Sequence, residues 1–220
     1  MTSWIIIEIL RRPEIHERIK AEISTVIDRA LLSGENTAPS SLRAAVDIPA
    51  LKKLPLLNSM YLECLRLRSS VFVVRKLRNS VDLDGYSLQA GNLILAPSYL
   101  AHKDPTVWSS PSHPPEELWP ERFMQQQGGE AGGKGGQNLH AGKFFPYGGG
   151  SAMCPGRNYA KQEILAAVAL FFGCFDVEPL HFVDGQGRYS ERGPEVGKEA
   201  RGVARVDRDL KVRLRRILKE

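Results

Sequence analysis

The stretch from Phe144 to Arg157, FFPYGGGSAMCPGR, constrains this chain more than any other. Aromatic residues lead into a glycine triplet, and a single cysteine follows between Met153 and Pro155, at the mouth of an apolar segment. Gly148, Gly149 and Gly150 let the backbone bend tightly and lie close against a flat ligand, with no Cβ in the way. Asn158 to Phe175 then reads as a mostly buried helix. Cys154 therefore stands close to a helix N-terminus, where the macrodipole and free amides favour an anion by roughly 0.3–1 kcal/mol. Such a setting favours thiolate over thiol, and a metal would complete the deprotonation. A lone thiolate in a glycine-rich bend suits a haem iron, so Cys154 is read as an iron ligand.

Three plainer readings compete for the same residues. Most single cysteines in apolar surroundings are inert core residues. Gly149, Ser151 and Met153 half-match the hydrolase elbow G-x-S-x-G, but methionine takes the place of the second glycine. A zinc site needs four ligands at recognisable spacing, and nothing near Cys154 supplies them.

The 220 residues could form one large domain or two small ones, burying roughly 70% of the unfolded chain's surface. The chain is 42% hydrophobic and 25% charged, with a net charge of +5 and a pI near 9.2. That mild excess, without a basic stretch interleaved with aromatics, argues against nucleic acid. It fits an acidic protein partner or membrane surface better. Cys64, Cys154 and Cys174 are far apart, which speaks against a disulfide framework and for a reducing compartment. No signal-peptide pattern opens the chain, since Glu8, Arg11 and Arg12 interrupt the apolar start. The longest apolar run, Ile164 to Phe175, is shorter than the roughly 20 residues needed to span a bilayer, so no transmembrane segment is expected.

Trp4 to Leu10 reads as the end of a buried helix. Pro13 opens a second, whose stripe of Ile15, Ile19, Ile23, Val26 and Ile27 runs to near Gly34. Leu51 to Arg68 reads as a third, with Glu63 and Arg66 three apart on one face and able to pair. Such a pair is usually solvated and contributes about 0–1 kcal/mol, although its neighbours Leu62, Cys64, Leu65 and Leu67 are apolar. From Ser69 to Leu100, the β-branched and apolar runs Val71–Val74, Ser80–Leu83 and Leu93–Leu95 alternate with turn signals, which predicts short strands. Residues 125–142, which open on three consecutive glutamines and carry seven glycines within Gly128–Gly142, read as a flexible surface insertion. Gly128, Gly133 and Lys134 mimic a phosphate loop, but Gly135 replaces the required Ser or Thr and no strand precedes it. Past the cysteine helix, short strands and turns are expected, with Leu210, Val212 and Leu214 alternating with Lys211, Arg213 and Arg215 in a half-exposed strand.

Four short motifs thus follow one another: Glu63-x-x-Arg66, the AHKDP turn from Ala101, the PERF run ending at Phe123, and the cysteine loop. In that order they resemble the cytochrome P450 family, and the resemblance covers nearly all 220 residues. Each motif alone is weak, but the ordered set is specific. The loop resembles the family's F-x-x-G-x-R-x-C-x-G, with Tyr147 at the aromatic position, Gly150 and Gly156 at the glycines, and Cys154 as proximal thiolate; Gly148 belongs to the same haem-facing bend. Ala152 departs from the pattern: the family usually has a basic residue there for a haem propionate, so that anchor is missing or comes from elsewhere. The CPGR ending, with a small residue two before cysteine, is most similar to the sterol-hydroxylase and prostacyclin-synthase branch and some fungal relatives.

The resemblance implies a mainly α fold with small β-sheets, corresponding to the C-terminal portion of the family's domain over 1–220. It implies that Glu63, Arg66 and Arg122 form a buried structural triad and that Arg75 grips a haem propionate. It further implies that Val71, Phe72 and Val73, with Gly202, Val203 and Ala204, line a substrate pocket. His102 is read as a turn residue. The implied chemistry is haem-thiolate monooxygenation, with haem b as cofactor, an apolar sterol- or lipid-like substrate, and electrons from NADPH through a reductase. That reductase would dock on a basic proximal face around Lys143, Arg157 and Lys161. For a full-length eukaryotic relative the implied address is the endoplasmic reticulum membrane, with this chain facing the cytosol. Full-length members are about twice as long, so a truncated form lacking the distal, oxygen-activating half is the expectation. The alternative is a non-catalytic haem-binding or interaction fragment.

Overall fold

The structure is a computed structural model and describes residues 1–32, 44–124, 142–195 and 202–217. The expected Gly/Gln-rich insertion lies outside the described residues apart from Gly142. The architecture is mainly α with small antiparallel β-sheets, as the sequence predicts.

Helix α1 (Thr2–Leu10) is followed by α2 (Pro13–Ser24), and Pro13 opens α2 where a missing N–H costs nothing. Helix α1 buries residues around nearly its whole circumference, including Glu8, as a helix inside a core must. Helix α2 stops at Ser24, earlier than the apolar stripe suggests. Val26 and Ile27 are buried outside it, where Ile27 bridges Val46 and Asp47 N–H donates to the Val26 carbonyl at 3.0 Å. Two β-branched residues in a row suit this extended bridge better than a further helical turn.

The predicted third helix is two. Three residues separate helix α3 (Ile48–Leu51) from α4 (Pro55–Arg68), because Pro55 cannot continue a helix but can begin one. The α4 N-terminus is capped from a distance: the Glu22 carboxylate accepts from Leu56 N–H at 2.9 Å and Leu57 N–H at 3.0 Å. Two orphan amides are thereby satisfied and an anion sits at the positive end of the dipole.

Strand β1 (Ser69–Ser70) follows α4 directly, then β2 (Phe72–Lys76), β3 (Val81–Leu83), β4 (Tyr86–Leu88) and β5 (Leu93–Pro97). Strands β2 and β5 pair antiparallel, as do β3 and β4. Short helices α5 (Ser98–His102), α6 (Pro105–Trp108) and α7 (Glu121–Met124) lead to the cysteine loop and then α8 (Arg157–Cys174). Strand β6 (Phe175–Val183) is central in a sheet with β7 (Tyr189–Ser190) and β9 (Asp209–Arg216), while β8 (Gly202–Val203) returns to pair with β1.

The core lies where α1, α2, α4 and α8 meet. Helix α8 contributes Leu165, Val168, Ala169 and Phe172, the spacing of a buried helical face. Gly173 continues that face without a side chain because Ile27 fills the space: a Cβ there would stand 2.3 Å from Ile27 Cδ1. No described helix is long and apolar enough to cross a membrane.

A candidate haem-thiolate loop and its supports

The cysteine loop is built onto the helical core through its aromatics. Phe144 packs against His102, Trp108 and Phe123, with ring centroids 5.1, 5.9 and 5.3 Å away. Phe145 N–H donates to His102 Nε2 at 3.0 Å. The backbone then reverses, with Gly148 N–H bonded to the Phe145 carbonyl at 3.0 Å, and Gly148 and Gly150 take φ of +78° and +63°. Those angles belong to the left-handed region, which is why glycine stands at both positions. The loop closes on itself where Cys154 N–H donates to the Tyr147 carbonyl at 3.0 Å. Cys154 is exposed, and α8 begins three residues later at Arg157.

The surroundings fit a flat, iron-bearing ligand. A Cβ on Gly149 would meet nothing within 4 Å, and one on Gly148 only the Ala152 carbonyl at 3.8 Å, so the bend is open. A Cβ on Gly156 would lie 3.8 Å from Cys154 Sγ, an ordinary contact distance. Arg75, on β2, reaches across to donate to the Gly149 carbonyl at 3.0 Å while staying exposed. A cation, an open bend and a soft sulfur donor are thus within one patch, the donor set that haem takes. Ala152 is exposed and supplies no charge.

Behind the loop, Glu63, Arg66 and Arg122 meet in the interior. Arg66 donates from Nε and Nη2 to the two Glu63 oxygens at 2.8 and 2.7 Å. Its other hydrogen bonds go to the carbonyls of His102, Pro115 and Glu117 at 2.8, 2.6 and 3.3 Å. All five guanidinium N–H groups therefore have acceptors. Arg122 donates to Glu63 Oε1 at 3.3 Å, to the Pro114 carbonyl at 3.1 Å, and to the Trp108 carbonyl. Trp119 N–H completes the carboxylate's set at 3.1 Å.

The segments expected to face substrate are brought side by side. Strand β1 pairs with β8 so that Ser70 lies opposite Gly202, with Val71, Phe72 and Val73 following directly. Val71 and Val73 are half-buried, while Phe72 and Val203 are exposed. Ala204 is different: it is buried, its carbonyl accepts the Trp4 indole N–H at 2.6 Å, and its amide donates to the Arg68 carbonyl at 2.8 Å. That makes Ala204 a joint between α1 and the end of α4.

The basic face is thinner than the sequence suggests. Lys143 pairs with Asp104 at 3.2 Å, and Arg157 donates to the Cys154 carbonyl at 3.2 Å. Lys161 is turned inward, its ammonium 5.7 Å from the centre of the Tyr61 ring, and burial pulls its pKa below the usual lysine value.

Sequence reasoning placed His102 in a turn but missed its reach into the loop, and it missed Tyr61 altogether. His102 is fully buried, and burial first, with the Arg66 charge adding to it, lowers its pKa to about 4. Its folded value lies below the ordinary 6.5, so the unfolded chain takes the proton more readily. Stability is then lost as pH falls from about 6.5 to about 4, and no further below that. The expected loss is on the order of 3 kcal/mol, at 1.36 kcal/mol per unit. Urea unfolding at pH 7 and pH 4.5, beside His102→Gln, checks this: the wild-type minus variant difference should shrink on acidification, and a pH-independent difference would refute it.

An exposed cysteine on a glycine bend thus stands beside an ion-paired interior in a mainly helical chain with small sheets. The chain belongs to the cytochrome P450 family, whose model matches residues 1–198. It is similar to cytochrome P450 monooxygenase calL of Penicillium decumbens, 32% identical across 99% of this chain and 39% of that protein. It is also similar to cytochrome P450 93G1 of Oryza sativa subsp. japonica, 30% identical across 80% of this chain and 30% of that protein. The chain thus spans well under half the length of these curated relatives. Among solved structures, the retinoic-acid-bound cyanobacterial CYP120A1 superposes with a TM-score of 0.67 over 98% of this chain and 41% of that one, at 22% identity. At that identity the likeness speaks for the fold alone.

Proposed function

We propose that this chain carries the proximal, haem-holding part of a monooxygenase that inserts one oxygen atom into an apolar, sterol- or lipid-like substrate. The observation that carries the reading is the exposed Cys154 thiol on its open glycine bend, with Arg75 laid across the same bend. Bound there, haem b would supply the one-electron chemistry that activates dioxygen, fed by NADPH through a reductase. The chain's own residues do the holding. Cys154 would donate sulfur, Gly148 and Gly150 let the bend turn tightly enough to lie against the ring, Gly156 would leave room beside the sulfur, Tyr147 anchors the cysteine amide, and Arg75 would meet a propionate. Glu63, Arg66 and Arg122 keep the platform beneath the loop rigid, and Val71, Phe72, Val73, Gly202 and Val203 offer the apolar edge on which a substrate would rest. Lys143 and Arg157 form the face offered to an acidic reductase, and the endoplasmic reticulum membrane is the setting that fits such a partner.

A second reading is favoured by one observation. Phe72, Val74, Leu93 and Leu95, on one face of the β2–β5 pair, are all exposed at 42–61%. A chain that holds haem beside so open a surface could act as a haem-binding or interaction protein without turning substrate over.

The test is the absorption spectrum of the chain titrated with haem, reduced and exposed to carbon monoxide, beside Cys154→Ala. A red-shifted, thiolate-type band present in the wild type and lost in the variant is expected. Uptake indifferent to Cys154, or none, would refute the reading. Adding a reductase and an apolar substrate then separates the two: turnover selects the monooxygenase, and its absence with the band intact selects the haem-binding protein.

A further inference from the structure

Tyr61 has no part in the motifs, yet it is the residue on which three elements around Cys154 converge. It lies on α4, is 2% exposed, and its hydroxyl stands 2.6 Å from the Tyr147 hydroxyl. Tyr147 is the residue whose carbonyl accepts the Cys154 amide at 3.0 Å. From the other side, Lys161 on α8 sets its ammonium over the Tyr61 ring. Helix α4, the cysteine loop and helix α8 are therefore tied at one phenol.

A buried phenol needs a hydrogen-bond partner, and leaving one without costs more than the bond itself contributes. Phenylalanine at either position would fill nearly the same volume, but only the hydroxyl pair fixes where along α4 the Tyr147 ring sits. Burial, reinforced by Tyr147, holds the Tyr61 pKa well above the usual tyrosine value, so the Tyr61 hydroxyl keeps its proton.

We propose that Tyr61 is a positioning residue for Cys154, fixing Tyr147 through the hydroxyl pair and, through the Tyr147 carbonyl, the backbone amide of the cysteine. Its consequence for haem rests on the function proposed above; its consequence for the loop does not.

The experiment has two readouts. In the chain without haem, hydrogen exchange at the Cys154 amide is measured in wild type, Tyr61→Phe, Tyr147→Phe and the double variant. Exchange should rise about five- to tenfold in each single variant and no further in the double, because both remove one bond. The Ala160 amide, which donates to the Gly156 carbonyl in the first turn of α8, should not move. An unchanged Cys154 amide, additive single effects, or a rise shared equally with Ala160 would overturn the proposal. Should Tyr61→Phe not fold, Tyr147→Phe removes the same bond from the loop side and decides alike. With haem bound, Tyr61→Phe should raise the share of the thiol-type ferrous carbon monoxide band several-fold over wild type, while Trp4→Phe, destabilising away from the loop, should not; an unchanged share, or a rise matched by Trp4→Phe, would count against the positioning. Failure of the wild type to take up haem would overturn the proposed function, and the exchange at Cys154 then decides the positioning by itself.

Discussion

Glu63→Ala is expected to destabilise the chain by about 3–5 kcal/mol, because it strands Arg66 and Arg122 in the interior. Arg66 is fully buried and Arg122 is 5% exposed, so neither guanidinium can turn to water without opening the α4–α7 contact. The carboxylate accepts four hydrogen bonds, from Arg66 twice, Arg122 and Trp119, and alanine replaces none of them. Against a total stability of about 5–15 kcal/mol for an ordinary domain, the loss is a large share. Arg122→Lys gives a milder probe: it keeps the charge but not the fork that spans Glu63, Pro114 and Trp108, and should cost less. Urea unfolding of both variants checks the ranking. A Glu63→Ala loss below about 1 kcal/mol would mean that the pair behaves as a solvated surface bridge.

Trp4→Ala should cost a comparable amount, about 3–5 kcal/mol. Trp4 is 1% exposed, its indole N–H holds the Ala204 carbonyl at 2.6 Å, and the Arg68 guanidinium lies 4.5 Å from the centre of its ring. Arg68 in turn pairs with Glu8, a fully buried carboxylate also held by Arg12 at 2.6 Å. Burial alone would raise the Glu8 pKa, but Arg68 and Arg12 outweigh it and the net shift is downward. Removing the indole therefore leaves a cavity and loosens the cation stacked on it. Trp4→Phe separates the two effects: it keeps most of the ring and orphans only the Ala204 carbonyl, a loss of about 1–3 kcal/mol. Thermal unfolding of the pair should rank Ala well below Phe; equal losses would show that the hydrogen bond, and not packing, dominates at Trp4.

Much of the local architecture is legible because it depends on neighbours a few positions away. Pro13 opens α2 at its first turn, and the apolar run before Phe175 becomes α8 within one residue of the expected bounds. The glycine bend is equally readable, since Gly148 and Gly150 occupy backbone angles that most residues avoid. Where local signals conflict, the reading slips. The α2 stripe includes Val26 and Ile27 because apolar spacing alone does not register that both are taken by a bridge to residues 45–47. Leu51 to Arg68 looks continuous until Pro55 is weighed against the leucines on either side.

The sequence by itself determined the family, the order of the four motifs, the position of the cysteine bend and the helix that follows it, because each rests on residue chemistry or short-range periodicity. Only the tertiary structure decided that Glu22 caps α4 from 34 residues away, that His102 holds Phe145 from 43, that Tyr61 meets Tyr147 across 86, and that Lys161 faces inward. The first three are polar groups satisfied by whatever partner packing brings to within 3.0 Å, and Lys161 finds an aromatic face 5.7 Å away. No pattern along the chain encodes such a meeting, because the distance that matters is set by how the helices pack and not by the number of residues between the partners.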